Sequence, residues 1–316
     1  MQSKIRSVLN RSTLSCAFAA LLAFASAPAA AYADLYVFGD SLSDNGNLYA
    51  LSGNTVPQLP YFGGRFSNGP VAVEVLANGL GATLHVLAIA GAQTSTAGLF
   101  PNTGMLSQLA SYSSALGGAS ADPSALYFVW GGANDLRDAG AGAAAAIAPA
   151  VGNLTTIVSS LYNLGARDFL LPNLPDLGLT AEAVENGLMF AGGATFLSEA
   201  FNTNLGAAYT GLASTLIGAK FIYFDVMASQ RAVVAGVGTN GFNNVTERCF
   251  DTRNPLAVTL CATPDTYLSW DNIHPTAAAH AILGNQMLAA VPEPTTMLMM
   301  SVGVLVLVGV SRRRQA

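Results

Sequence analysis

The sequence predicts an α/β domain built on a parallel sheet that is buried on both faces. Short β-rich runs alternate along the chain with longer, small-residue helical stretches. The runs are continuously apolar rather than alternating, the pattern of strands covered by helices on both sides. About 258 residues lie between two unusual terminal segments, a length that suits one domain.

Residues 35–38, 83–89, 125–130, 168–171 and 220–224 read as strands. Connecting helices are expected over 70–80, where Pro70 sits at a favourable first-turn position, and over 143–164, 196–216 and 275–288. The stretch 139–150 is almost wholly Ala and Gly and reads as a loop leading into a closely packed helix. A longer irregular segment is expected over 236–269. In open α/β sheets ligands sit beyond the carboxyl ends of the strands, so motifs there carry the functional weight.

The first residues carry Lys4, Arg6 and Arg11, then an apolar run over 14–24, then Ala31-Tyr32-Ala33 just before Asp34. Charge, apolar run and small residues in that order read as a secretory signal peptide over 1–33, cut by signal peptidase. The run is far shorter than the ~20 residues a membrane span needs. At the other end, Val291-Pro292-Glu293-Pro294 precedes an uncharged stretch over 295–311 and then Arg312-Arg313-Arg314. Its apolar core, 297–310, would reach about 21 Å as a helix at ~1.5 Å per residue, against ~30 Å of hydrocarbon. It is a marginal span with basic residues on the cytoplasmic side. This tail, 292–316, is similar to the PEP-CTERM sorting signal of Gram-negative bacteria. The resemblance implies transient anchoring in the inner membrane, processing by an exosortase-type enzyme and a final place at the cell surface or outside the cell.

Six of the 13 basic residues and one of the 18 acidic residues lie in these ends. The body, 34–291, keeps 7 basic against 17 acidic side chains, a net charge near −10. Nucleic acid is excluded as a partner, because phosphate neutralisation needs a basic face. Cys16 leaves with the leader, and Cys249 and Cys261 remain as an even pair in an oxidising compartment, either a disulfide or two free thiols. So few Cys and His residues supply no plausible zinc ligand set.

After the first strand the chain reads Gly39-Asp40-Ser41-Leu42-Ser43-Asp44-Asn45-Gly46. A serine at a strand end among turn formers is either a local cap or a nucleophile presented above the sheet. Far downstream, Asp271-Asn272-Ile273-His274-Pro275 places a carboxylate three residues before an imidazole, so one turn can supply both a base and the group that orients it. His85, in an apolar strand, and His280, in the final helix, read as structural. Gly91, after the second strand, lets backbone N–H approach a substrate closely, and Asn134, after the third, offers a side-chain amide. Tyr61, Phe62 and Phe66 are either an acyl-pocket lining or loop packing.

Gly39-Asp40-Ser41-Leu42, Gly91, Gly131-Gly132-Ala133-Asn134-Asp135 and Asp271-x-x-His274 resemble, in order, the four blocks of the GDSL/SGNH hydrolases. Gly64-Arg65-Phe66-Ser67-Asn68-Gly69-Pro70, followed by Glu74, looks like the corresponding segment of bacterial lipases and esterases of that family. The resemblance spans 35–288. It implies a three-layer α/β/α, flavodoxin-like fold with a central parallel five-stranded sheet, and a serine carboxylic ester hydrolase. Ser41 would be the nucleophile, Asp271 and His274 would complete the triad, and Ser41, Gly91 and Asn134 would form the oxyanion hole. No metal or organic cofactor is implied. Many members have Gly-Gly where this chain has Ala90-Gly91, so the alignment there is open by one position. The substrate is an acyl ester or, in an alternative reading, an acetylated extracellular glycan; a noncatalytic matrix-binding role is the third.

Overall fold

The computed structural model describes residues 32–253 and 257–292. The leader and sorting-tail readings at 1–31 and 293–316 lie outside the described residues. In chain order the elements are β1 (Asp34–Gly39), α1 (Asn47–Leu51), α2 (Ala72–Leu80), β2 (Thr83–Val86), α3 (Met105–Ala115) and β3 (Leu126–Trp130). Then come α4 (Ala133–Asp138), α5 (Ala143–Leu164), β4 (Asp168–Pro172), α6 (Ala181–Glu185), α7 (Leu188–Thr215), β5 (Lys220–Phe224) and α8 (Val226–Ala235). Short strands β6 (Asn244–Arg248), β7 (Phe250–Asp251), β8 (Thr259–Leu260) and β9 (Tyr267–Ser269) precede the last helix, α9 (Ala277–Ala290).

The five long strands form one parallel sheet in the order β2-β1-β3-β4-β5, the flavodoxin-like arrangement, with helices on both faces. Strand residues alternate between faces. Phe38, Tyr127, Val129, Phe169 and Leu171 join a core with α3, α5 and α7, in which α5 contributes Ile147, Leu154, Ile157, Val158 and Leu161. On the opposite face α2 packs against α9. Burial on both faces holds for β1, β3 and β4. It fails for β2 and β5, which are half-exposed because each is an edge strand with a neighbour on one side only.

Several element boundaries differ from the expectation. Strand β2 ends at Val86 rather than residue 89, because the Asn47 amide takes the carbonyls of Val86 and Ala88 and draws the chain out of the ladder. Helix α2 starts after Pro70, with the Glu74 carboxylate accepting the Val71 N–H at 2.9 Å. The loop expected over 139–150 ends at Gly142. Helix α7 begins eight residues before the expected start, its first turn carrying exposed apolar side chains that give no one-sided periodicity. The segment 236–269 holds two short strand pairs, β6 with β9 and β7 with β8, and a disulfide joining Cys249 to Cys261.

Candidate active site

The sheet order reverses between β1 and β3, and the loops after these two strands flank the crevice where α/β sheets bind ligands. The loop after β1 is held from below. The Gln108 side chain of α3 clamps Gly39, accepting its N–H at 3.0 Å and donating to its carbonyl at 2.8 Å. Gly39 is required here, since a Cβ would lie 2.7 Å from the Trp130 carbonyl. Asp44, fully buried, gathers the N–H groups of Gly46, Asn47 and Leu48, and across the sheet that of Ala90 at 2.8 Å. Ser41 sits at the top of this frame.

The turn before α9 brings the downstream motif onto Ser41. His274 Nε2 lies 2.8 Å from Ser41 Oγ, and its Nδ1 lies 2.8 Å from Asp271 Oδ2. Asp271 also accepts the backbone N–H groups of Ile273 at 3.0 Å and His274 at 2.8 Å. Burial works against its charge, but His274, Tyr61 and the Ile273 N–H together hold its carboxyl down at about 2. Asp271 is therefore an anion at neutral pH. Asp40, next to Ser41, behaves oppositely: burial pushes its carboxyl up to about 6.

The segments after β1, β2 and β3 each carry one of the expected donors, at Ser41, Gly91 and Asn134. The N–H groups of Ser41 and Gly91 have no internal acceptor among the described residues. The Ala90 N–H is engaged by Asp44, which favours Gly91 over its neighbour as the available donor. Gly91 adopts φ +76°, a left-handed conformation that suits glycine. The Asn134 amide donates one hydrogen to the Ala92 carbonyl at 2.9 Å, leaving its second free. Asp135 secures the same corner by accepting the Thr94 N–H at 2.9 Å and hydroxyl at 2.6 Å.

Of the aromatic trio, none lines the cavity beside Ser41. Tyr61 donates its hydroxyl to Asp271 Oδ2 at 2.7 Å, and Phe66 lies 5.0 Å from the His274 ring, so both buttress the Asp271–His274 pair from behind. Phe62 is exposed beside Arg65. Arg65 is locked to Glu74 and so fixes this loop. The sequence marked Tyr61 only as one of that aromatic trio; what it touches depends on a turn 210 residues away. His85 pairs with Asp34 at 2.6 Å at the far end of β1, and His280 lies buried under α2; neither reaches Ser41. No cluster of metal-ligating side chains occurs among the described residues.

A cavity of about 460 Å³ opens from Asp40, Ser41, Asn134 and His274. Its walls are mostly apolar, from α4, the segment before α6, and helices α7, α8 and α9. A serine hydroxyl bonded to an imidazole that a carboxylate orients, beside an apolar cavity, is an arrangement chemically suited to acyl transfer.

A GDSL esterase/lipase of Arabidopsis thaliana is 28% identical over 322 residues, covering 81% of each chain. The phosphatidylcholine-sterol acyltransferase of Aeromonas hydrophila is 31% identical over 159 residues, 48% of each. Among solved structures, the aryl esterase of M. smegmatis shares 19% identity over 82% of this chain and 97% of its own, at a TM-score of 0.44. An extracellular lipase of Streptomyces rimosus shares 16% over 82% and 99%, at 0.43. Residues 290–315 match the PEP-CTERM protein-sorting motif, and residues 35–287 match the family described as GDSL-like Lipase/Acylhydrolase. The chain thus belongs to the GDSL-like lipase/acylhydrolase family and is a carboxylic ester hydrolase.

Proposed function

We propose that the protein is an exported serine esterase that cleaves carboxylic esters through an acyl-enzyme on Ser41. The observation that carries this reading is the continuous line from Ser41 Oγ to His274 Nε2 and from His274 Nδ1 to Asp271, each link 2.8 Å. His274 removes the Ser41 proton as the oxygen attacks the ester carbonyl. The oxyanion is met by the N–H groups of Ser41 and Gly91 and by the Asn134 amide. His274 then protonates the departing alcohol, and the acyl group remains on Ser41. Water repeats the sequence with His274 as base, releasing the acid. Asp271 fixes the imidazole tautomer and stabilises its transient charge.

The same reading divides the chain into a leader over 1–33, a hydrolase body over 34–291 and a sorting tail over 292–316. The PEP-CTERM match supports export and handling by an exosortase-type enzyme, with the body ending at the cell surface or beyond. The experiment is hydrolysis of p-nitrophenyl esters by the purified protein beside Ser41→Ala. Removing a triad nucleophile costs on the order of 10⁶-fold in kcat. A Ser41→Ala protein retaining the parent rate would exclude the assignment.

A further inference from the structure

We propose that Arg248 is a positioning residue for the reaction: its buried guanidinium holds Asn272, and through it sets where the Asp271–His274 turn lies relative to Ser41. This rests on Ser41 and His274 being the reacting pair and adds what keeps them in register. The turn is closed on itself. Asp271 accepts the N–H groups of Ile273 and His274 and bonds the His274 ring, and the Trp270 N–H donates to the His274 carbonyl at 2.8 Å. Those bonds fix Asp271 against His274. They do not fix either one against Ser41, which lies 233 residues from His274 in the loop after β1. That distance is set by ties from outside the turn.

Two sets of ties reach it from different segments. One comes from the loop between α1 and α2: the Tyr61 hydroxyl bonds Asp271, the Ser67 hydroxyl donates to the Pro275 carbonyl at 2.9 Å, and Asn68 Oδ1 accepts the Ala277 N–H at 2.7 Å. The other set grips Asn272, between Asp271 and His274. Its carbonyl accepts the Glu182 N–H of α6 at 2.9 Å, and its side-chain oxygen accepts from Nη1 of Arg248, the last residue of β6. Nη2 of Arg248 pairs with Glu185 at the end of α6, so one planar head joins α6 to the turn. The Arg248 side chain is only 5% exposed. A charge so placed loses hydration, which Glu185 offsets. The guanidinium serves two partners at once through separate nitrogens in a rigid fork, which the compact ammonium of a lysine does not reproduce. The backbone beside Arg248 is pinned to the same region, since β6 pairs with β9 and the Phe250 N–H donates to the Trp270 carbonyl at 2.6 Å. Movement of the guanidinium therefore moves Asn272, and with it the two residues that act on Ser41.

The test measures kcat and KM on one soluble p-nitrophenyl ester for the purified protein, Ser41→Ala, Arg248→Ala, Asn272→Ala, the double variant of the last two, and Arg253→Ala. A misplacement of about 1 Å that originates away from the chemistry costs on the order of 10²-fold. Arg248→Ala and Asn272→Ala each lower kcat by about that factor with KM little changed, and the double variant falls no further than the lower single, because both delete the same bond. Arg253→Ala removes the other arginine on Glu185 and leaves kcat at the parent value. Arg248 lines a pocket of about 560 Å³, so free guanidinium ion, far below denaturing concentration, can enter the space that Arg248→Ala leaves. It raises the kcat of Arg248→Ala and not that of Asn272→Ala, and sodium chloride at equal concentration raises neither. A merely weakened fold would not be repaired in this way. Asn272→Ala at the parent kcat overturns the proposal, whether or not Arg248→Ala folds. Additive losses in the double variant, or an Arg253→Ala loss as large as that of Arg248→Ala, overturn it as well. Ester hydrolysis surviving in Ser41→Ala overturns instead the reading beneath it.

Discussion

Tyr61 donates a 2.7 Å hydrogen bond to Oδ2 of Asp271, the same oxygen that lies 2.8 Å from His274 Nδ1. The ring behind that hydroxyl packs edge-on against Phe250 and Trp270, so the phenol is aimed by a fixed aromatic platform. Two donors on one carboxylate oxygen hold Asp271 in the plane the imidazole needs. Tyr61→Phe keeps the platform and deletes one bond to a charged group, worth about 1.5–3 kcal/mol. The expected outcome is a fall in kcat of about tenfold or more with KM unchanged. Steady-state kinetics on one soluble ester checks it; a change confined to KM would place Tyr61 at the substrate instead.

Asn134→Ala removes one of the three donors proposed for the oxyanion. Its expected effect is a loss of ~10²- to 10³-fold in kcat with little change in KM, because the donor strengthens its bond as the carbonyl becomes an oxyanion. Equal rates for variant and parent would mean that the amide serves only the Ala92 carbonyl.

Gln108→Leu strips the clamp from Gly39, two residues before Ser41. The buried Gly39 N–H then lacks an acceptor, which costs about 2 kcal/mol of stability. Urea unfolding should report that loss together with reduced kcat. Stability lost with kcat intact would show that Ser41 is held without the clamp.

His280 is buried, with Nδ1 accepting the Ala72 N–H at 3.2 Å. Burial, aided by nearby His274, pushes its pKa from 6.5 down to about 3. The unfolded chain therefore takes up this proton first. Stability from this group is complete above pH 6.5 and falls as pH drops toward 3, by up to about 1.4 kcal/mol per pH unit. Unfolding curves of the parent and His280→Gln at pH 7, 5.5 and 4.5 should converge as pH falls. Parallel curves would show that His280 does not titrate in this way.

Cys249 and Cys261 join β7 and β8 beneath Phe250 and Trp270, the platform that carries Tyr61. Replacing both cysteines by Ala should lower unfolding free energy by about 3 kcal/mol, through the freer unfolded chain. Urea titration measures this. A midpoint unchanged by the replacement would mean the platform stands without the link.

Much of the active-site region was legible locally. Ser41, Asp271, His274, Gly91 and Asn134 each follow a strand or precede a helix whose type is written in its own residues, and the positions of β1, β3, β4 and β5 follow from short continuous apolar runs. Edge status was not legible, because a half-exposed β5 and a buried β4 share the same aromatic and aliphatic composition. The role of Tyr61 was equally hidden, since the loop's local pattern is the same whether its aromatics line a pocket or pack behind one.

By itself, then, the sequence determined the class of domain, the family and the sorting motif at the C-terminus, and it singled out the residues proposed to carry the chemistry. These are properties of local pattern and of covalent order. Only the tertiary structure decided which side of the crevice is apolar, which atom Tyr61 touches, and that Ala90 rather than Gly91 gives its N–H to Asp44. Each of these depends on hydrogen bonds and packing between segments tens to hundreds of residues apart, where direction in space, absent from a linear pattern, sets the outcome.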